Sequence, residues 1–160
     1  MKKYIPAKMI RQSRFITFFK TWNEKEKDQL IEYMNKLIID NSEYTDPGNY
    51  GHLCNLFTSI AMVKVLEENG KSHEDAEKVV AEAMYEFIKP QIVSMKKLAS
   101  HGWFVGFLKI VMPFKFKKTL GYGWDVGFPK CPADTFTMIT HKCIYQQLFT
   151  KYEMPEMTAK

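Results

Sequence analysis

An α+β fold, mainly helical over the N-terminal two-thirds and packed on a small antiparallel sheet near the C-terminus, is predicted by three features of the sequence. Apolar residues recur at helical spacing over about 21 to 112. Trp124, Val126 and Phe128 then alternate with Asp125 and Gly127, and Asp134 to Tyr145 alternates in a stretch rich in Thr, Ile, Phe and Tyr, so strands are expected over 124–129 and 134–144. Gly102, Pro113, Gly121 and Gly123 separate the two regimes.

The 160 residues suit one domain, 1–160, with 46% hydrophobic residues to fill a core that needs neither disulfide nor metal. The formal charge of +5 raises the question of an anionic partner. The basic residues are spread out, however. Their densest cluster, Lys109, Lys115, Lys117 and Lys118, is interleaved with Phe104, Phe107, Phe114 and Phe116 and reads as a solvated rim, so no nucleic acid is expected. The longest apolar run, Trp103 to Met112, contains Lys109 and is too short for a bilayer. Cys54, Cys131 and Cys143 are odd in number and are expected to be free thiols in a cytoplasmic protein.

In chain order, a first helix is expected over Pro6–Lys20. An amphipathic helix follows, capped by Thr21 with Glu24 and carrying Leu30, Ile31, Met34, Leu37 and Ile38. Asp46-Pro47-Gly48 and Gly51 mark a loop. From Leu53 to Glu68 the residues are apolar on nearly every face, the mark of a buried helix, and Asn69-Gly70 stops it. Ser72 with Asp75 opens the next helix, whose stripe runs through Ala76, Val79, Val80, Ala83, Met84, Phe87 and Ile88. Pro90 should interrupt it, with a kinked resumption to Ser100. A helix over Trp103–Met112 and a last one in QQLFTKYEM complete the reading.

Strand alternation places His141 and Cys143 on one face, about 7 Å apart. A thiol beside an imidazole can form a nucleophile and base pair, because thiolate is the reactive form and an imidazolium stabilises it. The plainer alternative makes Cys143 a packing residue and His141 solvent-facing. Cys131, in the proline-bounded loop FPKCPAD, is a second thiol near the expected strand pair. A metal site using Cys143, His141 and Cys131 is the weakest alternative, since their spacing is no standard zinc pattern. No glycine-rich phosphate loop, paired-cysteine zinc spacing or Gly-x-Ser-x-Gly elbow occurs, so neither cofactor nor metal is expected. Cys54 reads as packing, His73 as solvated, and His52 and His101 carry no assigned role.

Two blocks resemble the L-2-amino-thiazoline-4-carboxylic acid hydrolase family: LFTSIAMVKVLEENGKSHEDAEKVVAEAM, and GYGWDVGFP followed by FTMITHKCIYQQLFTKYEMPEM. Together they span roughly residues 50 to 157, and Cys143-Ile144-Tyr145 with Pro155-Glu156 is the more specific part. The resemblance implies hydrolytic opening of a cyclic isothiourea at its amidine carbon, giving an N-carbamoyl cysteine. It makes Cys143 the candidate nucleophile, His141 the candidate proton carrier, and Cys131, Tyr145 and Trp124 the candidate substrate-binding residues. Family members continue past the Pro-Glu element into a Cys- and Asp-containing segment, so either the remainder is a separate polypeptide or this is a truncated or degenerate member. A small-molecule substrate is the implied partner, with a homo-oligomer or a separate C-terminal segment as open possibilities. The alternative function is a non-catalytic small-ligand or sensor module using the aromatic residues of Trp103 to Phe116.

Overall fold

A computed structural model describes residues 4–158. Its elements run α1 (Pro6–Gln12), α2 (Glu24–Asp40), α3 (Tyr50–Glu68), α4 (His73–Ala99), α5 (Phe104–Thr119), β1 (Asp125–Gly127), β2 (Ile139–Lys142) and α6 (Ile144–Lys151), with 3-10 turns at Phe18–Thr21, Ser42–Tyr44 and Pro155–Thr158. The α+β class is as expected from the sequence. Helix α3 is the hub: α1, α2, the first turns of α4, and α6 all pack on it. Leu53, Leu56, Phe57, Ile60, Met62 and Val63 are fully buried around its circumference, which is why no polar face was visible in its sequence.

Several boundaries differ from expectation. The first helix ends at Gln12 rather than Lys20, where the Ser13 hydroxyl turns back to the Ile10 carbonyl and competes with helix continuation. The cap of α2 is Asn23 with Glu26, not Thr21 with Glu24. Asn23 Oδ1 accepts from Glu26 N at 3.0 Å, and Glu26 Oε2 accepts from Asn23 N at 2.8 Å. Helix α3 begins at Tyr50, three residues before the expected Leu53.

Neither proline ends its helix. Pro90 lies within α4 and Pro113 within α5, which continues to Thr119 instead of stopping at Met112. Pro90 is exposed, so the carbonyl left without a donor one turn earlier can be hydrated. The strands are shorter than 124–129 and 134–144, and the pairing carries a bulge. Asp125 pairs with Lys142 and Val126 with Thr140, leaving His141 as the extra residue.

Two polar arrangements join the C-terminal third to the helices. In the first, buried Asn49 and the Asp46 carboxylate clasp the turn at Gly121-Tyr122. Asp46 Oδ2 accepts from Tyr122 N at 2.7 Å, Asn49 Oδ1 accepts from Gly121 N at 3.2 Å, and Asn49 Nδ2 donates to Tyr122 O at 2.7 Å. A Cβ on Gly121 would stand 2.1 Å from Asp46 Oδ1, so only glycine lets the turn come this close. In the second, the Tyr44 hydroxyl donates to Gln147 Oε1 at 2.9 Å while Gln147 Nε2 donates to Gly123 O at 3.2 Å.

At the opposite end of α6, His73 is held rather than solvated. Its Nδ1 bonds Glu67 and its Nε2 lies 3.0 Å from the Glu153 carbonyl. Glu153 closes α6 in the left-handed region, at φ 62.

Removing Asn49 leaves the Gly121 amide and the Tyr122 and Tyr44 carbonyls without their partner. Asn49→Ala is expected to cost about 2–4 kcal/mol in urea unfolding, and a loss below about 0.5 kcal/mol would contradict the clasp.

The His73–Glu67 pair makes stability depend on pH. The bond to Glu67 raises the His73 pKa above its ordinary 6.5. Burial pushes the Glu67 carboxyl up, but bonds from His73 and Lys64 outweigh it and hold the group below its ordinary 4.5. A raised histidine stabilises fully below its unfolded pKa and loses that contribution as pH rises through the folded value; a depressed carboxyl stabilises above its unfolded pKa and loses it in acid. The melting temperature should therefore fall as pH rises above about 6.5 in the wild type, and fall less in His73→Gln. Identical slopes in the two proteins would remove His73 as the cause.

Candidate active site

His52 lies in the first turn of α3, Tyr145 in the first turn of α6, and Trp124 on the turn just before β1. The clasp and the Gln147 bond set the third against the first two. The His52 and Trp124 rings are 5.0 Å apart, His52 and Tyr145 stand edge to face at 5.8 Å, and Trp124 and Tyr145 are 6.0 Å apart. The Tyr145 hydroxyl lies 3.4 Å from His52 Nδ1, while buried Trp124 Nε1 has no hydrogen-bond partner among the described residues.

A cleft of about 500 Å³ opens beside these rings, lined among others by Arg14, His52, Asn55, Lys118 and Tyr145. Asn55 fixes its near wall. Its Oδ1 accepts from Arg14 N at 2.9 Å and its Nδ2 donates to Gly51 O at 3.1 Å, tying the segment after α1 to the start of α3. Among the described residues no carboxylate pairs with Arg14 or Lys118; their cationic groups lie over the Phe87 and Phe114 rings.

Burial lowers the His52 pKa, and the Arg14 charge lowers it further. The imidazole is thus neutral at physiological pH, with a free lone pair. Burial is also the main cause that pushes the Tyr145 phenol up to about 12, so it stays protonated 3.4 Å from His52 Nδ1. A neutral base, a protonated phenol beside it and two cations with no carboxylate partner around one cleft form the kind of set that handles proton transfer on an anionic substrate.

Of the residues singled out in the sequence, Trp124 and Tyr145 come together here. Cys143 is half-buried at the N-cap of α6, two residues from Tyr145. It lies outside β2, and the bulge at His141 interrupts the alternation from which a shared face was read. His141 is exposed, its Nε2 3.6 Å from where a Cβ on Gly127 would be. Cys131 donates its thiol to Thr135 O at 2.9 Å within its own loop, and Lys109 Nζ bonds its carbonyl. Cys131, His141 and Cys143 do not gather into a metal group, and no cluster of three or more His, Cys, Asp or Glu fit to hold an ion occurs among the described residues. Among the described residues no cysteine is in a disulfide, and Cys54 lies in the core.

The sequence reading missed His52 and Arg14. No local motif marks either, because each acquires its surroundings from distant segments, Arg14 from Asn55 and His52 from Trp124 and Tyr145.

The His52 assignment predicts a titration. By NMR, its midpoint should lie below 6.5, and Arg14→Gln should move it upward. A midpoint at or above 6.5, unmoved by Arg14→Gln, would contradict the described environment.

Among the described residues no helix is long and apolar enough to cross a membrane. Comparison with curated proteins and with solved structures gave no match. Comparison with known families matches residues 52–160, more than half of the chain and including His52, Trp124, Cys143 and Tyr145. The chain belongs to the L-2-amino-thiazoline-4-carboxylic acid hydrolase family.

Proposed function

We propose that this chain opens a small cyclic amidine bearing a carboxylate, by attack at the amidine carbon, in the cleft between the first turns of α3 and α6. The observation that carries the reading is the half-buried His52 held against Tyr145 and Trp124 beside two cations with no carboxylate partner. The family name supports the substrate class, a five-membered aminothiazoline ring with a carboxylate.

Each group has a task set by its chemistry. Arg14 and Lys118 hold the substrate carboxylate, Arg14 with the forked geometry that suits it. Trp124 and Tyr145 offer ring faces to a flat heterocycle. Cys143 is the nucleophile. Its thiolate adds to the protonated amidine carbon, the ring carbon–sulfur bond breaks, and the departing sulfur takes a proton. Water then adds to the same carbon, His52 accepts its proton, and the Cys143 thiolate leaves a urea-type carbamoyl product. His52 replaces His141 as the proton carrier in this reading, because it is the histidine that bonds Tyr145.

The test is mass-spectrometric detection of the ring-opened product from 2-aminothiazoline-4-carboxylate. His52→Gln and Cys143→Ser should each lower kcat by about 10²–10⁴. Arg14→Gln should raise KM with a smaller change in kcat, while His141→Ala should stay within about twofold of wild type. If His141→Ala abolishes turnover while His52→Gln does not, proton transfer belongs to β2. Saturable binding of the acid without turnover by the wild type would replace the enzyme with a small-ligand-binding module.

A further inference from the structure

Helix α4 changes character halfway along. Ala76 and Val80 are buried against α3, but none of the residues from Tyr85 to Ala99 is buried, and Pro90 is exposed among them. Helix α5 returns from the turn at 100–103 with Phe104 as its one buried residue. The two helices form a projecting hairpin whose apolar side chains face solvent: Trp103 is 57% exposed, Ile110 76% and Phe114 63%.

These side chains are ordered in a specific way. On α4, Tyr85, Ile88, Ile92, Met95 and Ala99 follow each other at alternating steps of three and four residues. On α5, Trp103, Phe107, Ile110 and Phe114 do the same. This is the seam spacing that accepts knobs from another helix, and an open groove of about 450 Å³ already runs along the α4 seam to Phe104. At about 150–250 Å² for a whole aromatic side chain, the half-exposed seams and their flanks present on the order of 800 Å² of apolar surface. That is about the share each partner gives to a stable interface.

Charge identifies the occupant. Up to Glu86, α4 carries Glu74, Asp75, Glu77, Glu82 and Glu86 against Lys78 alone; from Phe87 to Ala99 it carries Lys89, Lys96 and Lys97 and no acid. A helix acidic in its first half and basic in its second is complementary to itself when antiparallel. We propose that the α4–α5 hairpin is the interface of a homodimer, two hairpins packing antiparallel about a two-fold axis near Pro90 into a four-helix bundle. Lys96 and Lys97 of each copy then face the Glu82–Glu86 side of the other, and the contact is isologous.

Sedimentation velocity over a wide range of concentration tests this, with the wild type expected at twice the 18.8 kDa chain mass. Ile92→Glu with Ile110→Glu, both at exposed positions, should give a monomer with unchanged circular dichroism and melting transition after correction for dissociation. Glu82→Lys with Glu86→Lys should weaken association about tenfold or more, and adding Lys96→Glu and Lys97→Glu to the same chain should restore it. A wild type that stays monomeric throughout, or a dimer that survives both isoleucine substitutions, would overturn the proposal. So would a monomer whose hairpin binds anionic lipid vesicles, which would make the face a membrane-surface element.

Discussion

The clasp between Asp46-Asn49 and Gly121-Tyr122 is the constraint on which the functional end of the molecule depends. A three-residue and a four-residue strand cannot hold their place by pairing alone. The turn before β1 is instead fixed by a buried amide and a carboxylate at the entrance to α3, and the bonds exist only because Gly121 leaves room for Asp46. Trp124 follows three residues later. Its position against His52 is therefore inherited from the clasp, while Tyr145 is brought to the same point by the Tyr44–Gln147–Gly123 bonds.

This construction explains why the cleft can bear unusual electrostatics. Two cations without carboxylate partners beside a desolvated histidine do not stabilise a fold; burying His52 near Arg14 disfavours its protonation. The surrounding structure carries that strain. Helix α3 is buried on all sides, the Asn23–Glu26 box caps α2, and the His73–Glu67–Glu153 contacts lock the far end of α6. The chain spends its packing on α3 and leaves the cleft polar and open.

The helical part was legible because local rules govern it. The apolar circumference of α3, the stop at Asn69-Gly70 and the Ser72 cap of α4 are each encoded within a few residues. The prolines misled: both sit inside continuing helices, Pro90 at an exposed position where the freed carbonyl can be hydrated, and exposure is not written in the local sequence. The strands misled as well: Thr- and Ile-rich alternation over 134–144 signals strand character, but only Ile139–Lys142 finds a partner, and a bulge removes His141 from the expected face. Tyr145 was reached through the Cys-x-Tyr resemblance and Trp124 through that of the GYGWDVGFP segment. His52 was not, because a histidine next to a loop glycine becomes distinctive only once residues 124 and 145 arrive beside it.

The most direct measurement is an NMR titration of the isotope-labelled wild type with 2-aminothiazoline-4-carboxylate, following the His52 ring, the Trp124 indole N–H and the Arg14 side chain. If the cleft between α3 and α6 is the site, these resonances move together and saturate with one binding constant, and the His52 midpoint shifts upward as the bound carboxylate offsets the Arg14 charge. Saturating shifts confined to the α4–α5 hairpin or to the 131–141 region, with His52 and Trp124 unmoved, would contradict it.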